Sequence, residues 1–289
     1  MPVAAQTAAT EAWPAILNPA WRDGIPEFRF RFGAQEPFPF VVIDDFFTPE
    51  IAAALSGAFP PVKGMPKVFR ELWAYKGQLS DIRKHCQSVW PIVETLHGPA
   101  MTGVLNGITG VADLEGDPIL AAAGMHQYPR RGFQEIHIDP NRHPMRKELH
   151  RRVNLLVYLS QDWEPEWGGE FEAWSDAGGK PGACVASIAP KYNRALIFYS
   201  SGKSWHAVAR VNCPEAQSRK ALAIYYYTHV RPADELYEDS SAIWHSRDPW
   251  KRVVFPVANA AIRLLKPYAR YLRPLRGKVF DAAERDPYE

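Results

Sequence analysis

From about residue 119 the chain breaks into short apolar runs separated by Gly, Pro and Asn, and this grammar limits the fold more than any other feature. The runs lie at 124–128, 133–139, 152–159, 169–174, 184–188, 195–199, 207–211 and 221–228. Each has the length of a strand and is bounded by turn residues. About eight such strands, with no internal repeat and no βαβ alternation, predict an antiparallel sandwich or jelly roll and argue against a doubly wound sheet.

The flanks read differently. Residues 1–35 are expected to be an irregular lead-in, because Pro2, Pro14, Pro19 and Pro26 interrupt it. A short buried strand is expected at 38–43. Thr48-Pro49 then opens a helix that stops before Pro60-Pro61, with Thr48 at the N-cap and Pro49 in the first turn. A second helix is expected after Ser80, with Ile82, Cys86, Val89 and Val93 on its apolar face, and a third over roughly 99–112. The expected organisation is thus a lead-in (1–35), an N-terminal strand with support helices (36–118), a β core (119–230) and a tail (231–289).

Composition narrows the function. The 289 residues carry a net charge of +2, too little for the broad basic footprint of a duplex nucleic-acid binder. Cys86, Cys184 and Cys213 are widely spaced and lack a CxxC pair, so neither a disulfide framework nor a cysteine zinc site is expected. Residues 1–11 contain no Lys or Arg, and no run reaches the ~18 apolar residues of a spanning helix, so the expectation is a cytoplasmic protein without a transmembrane segment. Residues 249–278 carry eight Lys and Arg and no acid. They are read as a helical tail with a basic face in solvent, or as a contact for an anionic partner.

The chemistry starts at His137-Ile138-Asp139. Residues i and i+2 of a strand share a face, so one strand end can offer an imidazole and a carboxylate to one metal ion. The pair is weak alone, since an exposed strand end would look the same. His206 opens another apolar run downstream, and two His with one carboxylate on a jelly roll make the facial set of non-haem Fe(II). Arg219 heads a strand in which Arg219, Ala221, Ala223 and Tyr225 share a face. An Arg with Ala neighbours suits a pocket floor that holds a small dicarboxylate.

Taken in order, several segments resemble the Fe(II)/2-oxoglutarate-dependent dioxygenases, in particular their prolyl-hydroxylase-like branch. They are His126-Gln127-Tyr128-Pro129, His137-Ile138-Asp139, Leu156-Val157-Tyr158-Leu159, Trp167-Gly168-Gly169-Glu170-Phe171, Ile188-Ala189-Pro190, His206-Ala207-Val208 and Arg219. The resemblance implies a double-stranded β-helix core with flanking helices. It implies His137, Asp139 and His206 as iron ligands and Arg219 as partner of the distal carboxylate of 2-oxoglutarate. Tyr158 matches the tyrosine that binds the same carboxylate, and Tyr128 one that lines the co-substrate pocket. Strand parity adds Asn154, on the face of Leu156 and Tyr158; for all three a purely structural role stays open. The implied cofactors are Fe(II), 2-oxoglutarate and O2. The implied reaction is hydroxylation of an unactivated C–H, with 2-oxoglutarate converted to succinate and CO2. Asp139 disfavours the halogenase variant, which lacks that carboxylate. Tyr225, where nucleic-acid demethylases carry a second Arg, disfavours that branch.

The expected substrate is amino-acid-like: a prolyl or other peptidyl residue, or an amino-acid-derived metabolite. The alternatives are a specialised-metabolism oxygenase acting on a sugar, lipid or polyketide-like molecule, and a non-catalytic jelly-roll binding protein. Substrate loops are expected at 60–79, 130–134 and 141–152, the last dense in cations and read as a solvated loop or a rim that attracts anions.

Overall fold

The computed structural model describes residues 13–235, 237 and 242–248. The basic stretch at 249–278 lies outside the described residues. The N-terminal part contains α1 (Ile25–Ala34), β1 (Phe40–Ile43), α2 (Pro49–Gly57), the hairpin β2 (Lys67–Glu71) and β3 (Ala74–Leu79), and the helices α3 (Ile82–His85), α4 (Trp90–His97) and α5 (Pro99–Thr109). The β-rich part contains β4 (Glu115–Gly116), β5 (Gly124–Pro129), β6 (Phe133–Ile138), β7 (His150–Tyr158), β8 (Phe171–Asp176), β9 (Pro181–Ile188), β10 (Ala195–Tyr199), β11 (Trp205–Val208), β12 (Ser218–Thr228) and β13 (Ile243–His245).

These strands form one antiparallel sheet that folds over on itself. Its order is β1-β10-β7-β12-β5-β3-β6-β11-β8-β9, with β13 added beside β6. This is the double-stranded β-helix expected from the sequence. The outer face of the larger half packs on the helices: Leu155, Val157, Leu222 and Ile224 join Leu55, Val93, Leu96 and Leu105 in one buried cluster. The inner face is aromatic and small. Phe40, Tyr158, Phe171, Phe198 and Ala221 fill it. Period-2 alternation therefore sends aliphatic residues to the helices and leaves the inner face for the site.

The flanking elements differ from expectation in three places, each with a local cause. The lead-in ends in a helix, α1, because Pro26 occupies its first turn, where a missing N–H costs nothing. The helix expected after Ser80 is broken. Asp81 caps α3, the backbone leaves helical geometry at Cys86, and α4 restarts with Pro91 in its first turn. Residues 60–79, read as a loop, contain β2 and β3. β3 pairs with both β5 and β6 and so links the two halves of the sheet. Among the described residues no helix is long and apolar enough to cross a membrane.

Candidate metal and co-substrate site

His137 on β6 and His206 on β11 are direct partners in the antiparallel register, so both side chains leave the same face. Their ring centroids are 4.2 Å apart. Asp139 follows just past the end of β6. Its Oδ1 lies 3.6 Å from His137 Nε2 and its Oδ2 3.5 Å from His206 Nε2. Ligand atoms of the three residues all lie within 4.8 Å of one another, which among the described residues marks a group able to hold a metal ion.

The imidazoles are aimed by their own backbones. Nδ1 of His137 donates to the Glu135 carbonyl (3.0 Å), and Nδ1 of His206 to the Ser204 carbonyl (2.9 Å). A carbonyl only accepts, so the proton sits on Nδ1 and Nε2 keeps its lone pair for a metal. Burial, reinforced by His137, pushes His206 down to about 3, so it is neutral at ordinary pH. Burial would raise the Asp139 carboxyl, but Arg151, His206 and His137 outweigh it and hold the group well below the usual carboxylate range. A neutral imidazole and an ionised carboxylate are the states a metal requires. The two-nitrogen, one-carboxylate set fits Fe(II).

Arg151 is the main residue that sequence reasoning missed. Its Nη2 donates to Asp139 Oδ2 at 2.8 Å, its Nε donates to Asn154 Oδ1 at 2.6 Å, and its guanidinium lies 3.3 Å from the centre of the Tyr225 ring. Simple alternation would put Arg151 with Val153 and Leu155, against the helices. A bulge intervenes: Tyr226 pairs with Val153, but Tyr227 pairs with Arg151, leaving Arg152 as the extra residue. The bulge turns Arg151 onto the face of Asn154. Of the cation-rich stretch 141–152, Arg151 and Arg152 are buried, and His143 sits 3.1 Å from Asp117 with both side chains enclosed. That half of the stretch is therefore internal rather than a solvated loop, with Arg151 in the wall of a cavity.

Arg219 occupies the inner face of β12, opposite Tyr128 in the register, while Ala221 pairs with Tyr158. Its guanidinium is 4.9 Å from the Tyr128 ring and 4.8 Å from the Tyr158 ring, and Nε donates to the Gly169 carbonyl at 2.6 Å. Gly169 has φ +78°, and a Cβ there would stand 3.0 Å from Arg219 Cδ, so glycine is needed for this approach. Arg219 is 1% exposed and Tyr158 is fully buried, yet Arg219 Nη2 and Tyr158 Oη have no hydrogen-bond partner among the described residues. Two orphaned buried donors side by side are costly unless an acceptor completes them, and a carboxylate does. Tyr128 hydroxyl donates to Gln134 Oε1 at 2.6 Å, whereas Asn154 faces Asp139 and Arg151 and stands with the metal group.

Beside the metal group lies a cavity of about 160 Å³ lined by Lys76, Trp73, Gln134, Arg151, Tyr225 and Trp244, among others, with Arg219 outside its lining. Trp244 stacks on His137 at 4.7 Å and meets Trp73 at 6.1 Å. Tyr237 donates to the Asp139 carbonyl at 3.0 Å. Neither Trp244 nor Tyr237 is legible in the sequence. Both follow residue 230, and β13 is too short to show alternation. Lys76 was hidden in the stretch read as a loop.

Residues 123–227 match the profile of the 2OG-Fe(II) oxygenase superfamily. A 62-residue segment is 34% identical to the prolyl 3-hydroxylase OGFOD1 of Xenopus laevis, covering 21% of this chain and 12% of that protein, so the match spans about an eighth of that relative. Among solved structures, a Pseudomonas putida prolyl-4-hydroxylase aligns with 17% identity and a TM-score of 0.44 over 70% of this chain and 100% of its own. A Trichoplax adhaerens prolyl hydroxylase in complex with a hypoxia inducible factor peptide fragment aligns with 17% identity and a TM-score of 0.48, over 73% and 94%. HygX from Streptomyces hygroscopicus, with nickel and 2-oxoglutarate bound, aligns with 13% identity and a TM-score of 0.47, over 75% and 96%. The matched profile covers the strands that carry His137, Asp139, His206 and Arg219, so this stretch of the chain is similar to the 2OG-Fe(II) oxygenase superfamily.

Proposed function

We propose that the protein is an Fe(II)/2-oxoglutarate-dependent hydroxylase in which His137, Asp139 and His206 hold the iron and Arg219 with Tyr158 receives the distal carboxylate of 2-oxoglutarate. The observation that carries this reading is the pairing of a buried His-Asp-His group with two orphaned donors on the same inner face. Bound iron and 2-oxoglutarate supply the oxidising chemistry: substrate, O2 and 2-oxoglutarate become hydroxylated substrate, succinate and CO2. The chain's own residues orient and shield. Arg151 keeps Asp139 ionised and holds its Oδ2 in place. Gln134 Nε2, 3.0 Å from His137 Nε2, must yield to a metal there. Phe171 and Phe198 pack on His206 and exclude water from that side. Tyr128 borders the co-substrate pocket, and Asn154 supports the metal side.

The substrate we favour is amino-acid-like, a prolyl or other peptidyl residue or an amino-acid-derived metabolite, and the segment similar to a prolyl 3-hydroxylase supports it. The test incubates the Fe(II)-loaded protein with 2-oxoglutarate, O2 and either proline-containing peptides or free amino-acid derivatives. Succinate release in step with a product heavier by one oxygen is expected. Tight metal and 2-oxoglutarate binding with no turnover of any amino-acid-type compound would reject this substrate class.

A further inference from the structure

We propose that the molecule oxidised here is an anion, and that Lys76 on β3 receives its carboxylate or phosphate in the cavity beside His137 and Asp139. This deepens the functional reading above and rests on it. The first observation is the charge of the cavity wall. Lys76, Arg142 and Arg151 line it against a single acid, Asp139. Arg151 is spent on Asp139, and Fe(II) with doubly negative 2-oxoglutarate adds no net charge. The wall therefore stays positive when the site is loaded.

The second observation is the state of Lys76. The residue is 8% exposed, and its ammonium donates to a neutral acceptor, Gln134 Oε1, at 3.1 Å. Among the described residues no carboxylate lies within ion-pair distance of it. The rings of Phe69 and Tyr128 flank it at 5.8 and 5.9 Å. An enclosed ammonium carries a desolvation penalty that one neutral hydrogen bond does not repay, whereas an anion does. The third observation is placement. Lys76 shares the cavity with His137, Asp139, Trp73 and Trp244, while Arg219, Tyr158 and His206 do not line it. The co-substrate has its own cation, so Lys76 is left for a second ligand. The cavity's size suits a small molecule or one side chain, with Trp73 and Trp244 supplying apolar lining.

The test uses the full chain loaded with redox-silent Mn(II) and saturating 2-oxoglutarate, at constant ionic strength, with tryptophan fluorescence reporting from Trp73 and Trp244. The probes are acetate, inorganic phosphate and the neutral match acetamide. Saturable binding of acetate or phosphate is expected, with acetamide silent. Acetate prevailing identifies a carboxylate substrate, phosphate prevailing a phosphorylated one. Lys76→Gln should weaken the preferred anion by roughly 10–100-fold, the scale of a charge-assisted hydrogen bond, and Lys76→Arg should restore most of it. The inference is overturned if neither anion saturates, if acetamide binds as well as acetate, or if Lys76→Gln leaves anion affinity unchanged. It is equally overturned if Lys76→Gln weakens 2-oxoglutarate as much as the anion, because Lys76 then serves the co-substrate. Failure of Mn(II) or 2-oxoglutarate to bind the wild-type protein removes the hydroxylase reading itself, and is measured separately by calorimetry.

Discussion

Asp139 and His137 are both iron ligands in this account, but their removal should differ in cost. His137→Ala deletes a ring whose neighbours are Trp244 and His206. Asp139→Ala also strands the Arg151 guanidinium, which is buried and loses its ion-pair partner. Breaking one side of an enclosed pair costs about 3–5 kcal/mol, largely through the charge left behind. Asp139→Ala should therefore be clearly less stable than His137→Ala in urea denaturation, although both lose metal binding. Adding Arg151→Met to Asp139→Ala should recover much of the stability and none of the metal affinity. Equal stability of the two single variants would show that Arg151 finds another partner. At this scale the sequence was informative where a side chain needs only strand parity: His137, Asp139, Tyr158 and Arg219 follow it. Arg151 was not legible, because one bulged residue reverses the parity on which the reading depends.

The elements of the β core were legible because each run alternates and ends in turn residues. The hairpin β2–β3 was not. Its turn, Leu72-Trp73, has neither the Asn-Gly nor the Asp-Gly signature, and its strands are short. The break in the helix at 82–97 is hidden in the sequence because the apolar spacing persists across Cys86 while the helical backbone does not. The end of α4 carries a pH-sensitive element. Both ring nitrogens of His97 are buried without a hydrogen-bond partner among the described residues, and Gly116 of β4 lies directly against its backbone. Burial lowers the imidazole from 6.5 to about 4, with Asp117 opposing. The unfolded chain binds a proton near 6.5 and the folded chain only near 4. Stability should thus be full above 6.5 and decline as pH falls towards 4, by on the order of 2–3 kcal/mol. Urea midpoints across this window should show the decline in the wild type and a flatter profile in His97→Gln. Parallel profiles would assign the acid sensitivity elsewhere.

At the scale of the molecule, the site is closed by parts of the chain that do not look like the core. β1 completes one edge of the sheet, β3 joins its halves, and β13 brings Trp244 onto His137. The run of strands between 119 and 230 announces the fold, but the short strands β3 and β13 outside it help finish the cavity, and short strands carry too few residues to show a period. Iron and 2-oxoglutarate bind only the folded chain in this account, so each should stabilise it by mass action, about 2.7 kcal/mol at a hundredfold excess over Kd. Thermal unfolding should rise by several degrees with Mn(II) and further with 2-oxoglutarate, whereas 2-oxoglutarate without metal should shift it little. An equal shift by 2-oxoglutarate with and without metal would mean that it binds away from His137, Asp139 and His206.

The central claim is that one inner face holds the metal and the co-substrate on separate residues. Calorimetric titration of Mn(II), then of 2-oxoglutarate, into the wild type, His206→Ala and Arg219→Met tests it most directly. The wild-type chain should take one metal, with 2-oxoglutarate binding after it. His206→Ala should lose both. Arg219→Met should keep metal affinity within about twofold and lose 2-oxoglutarate affinity by roughly a hundredfold, as expected when charge-assisted bonds to a carboxylate are removed. Metal binding that survives in His206→Ala, or 2-oxoglutarate binding that survives in Arg219→Met, would contradict it.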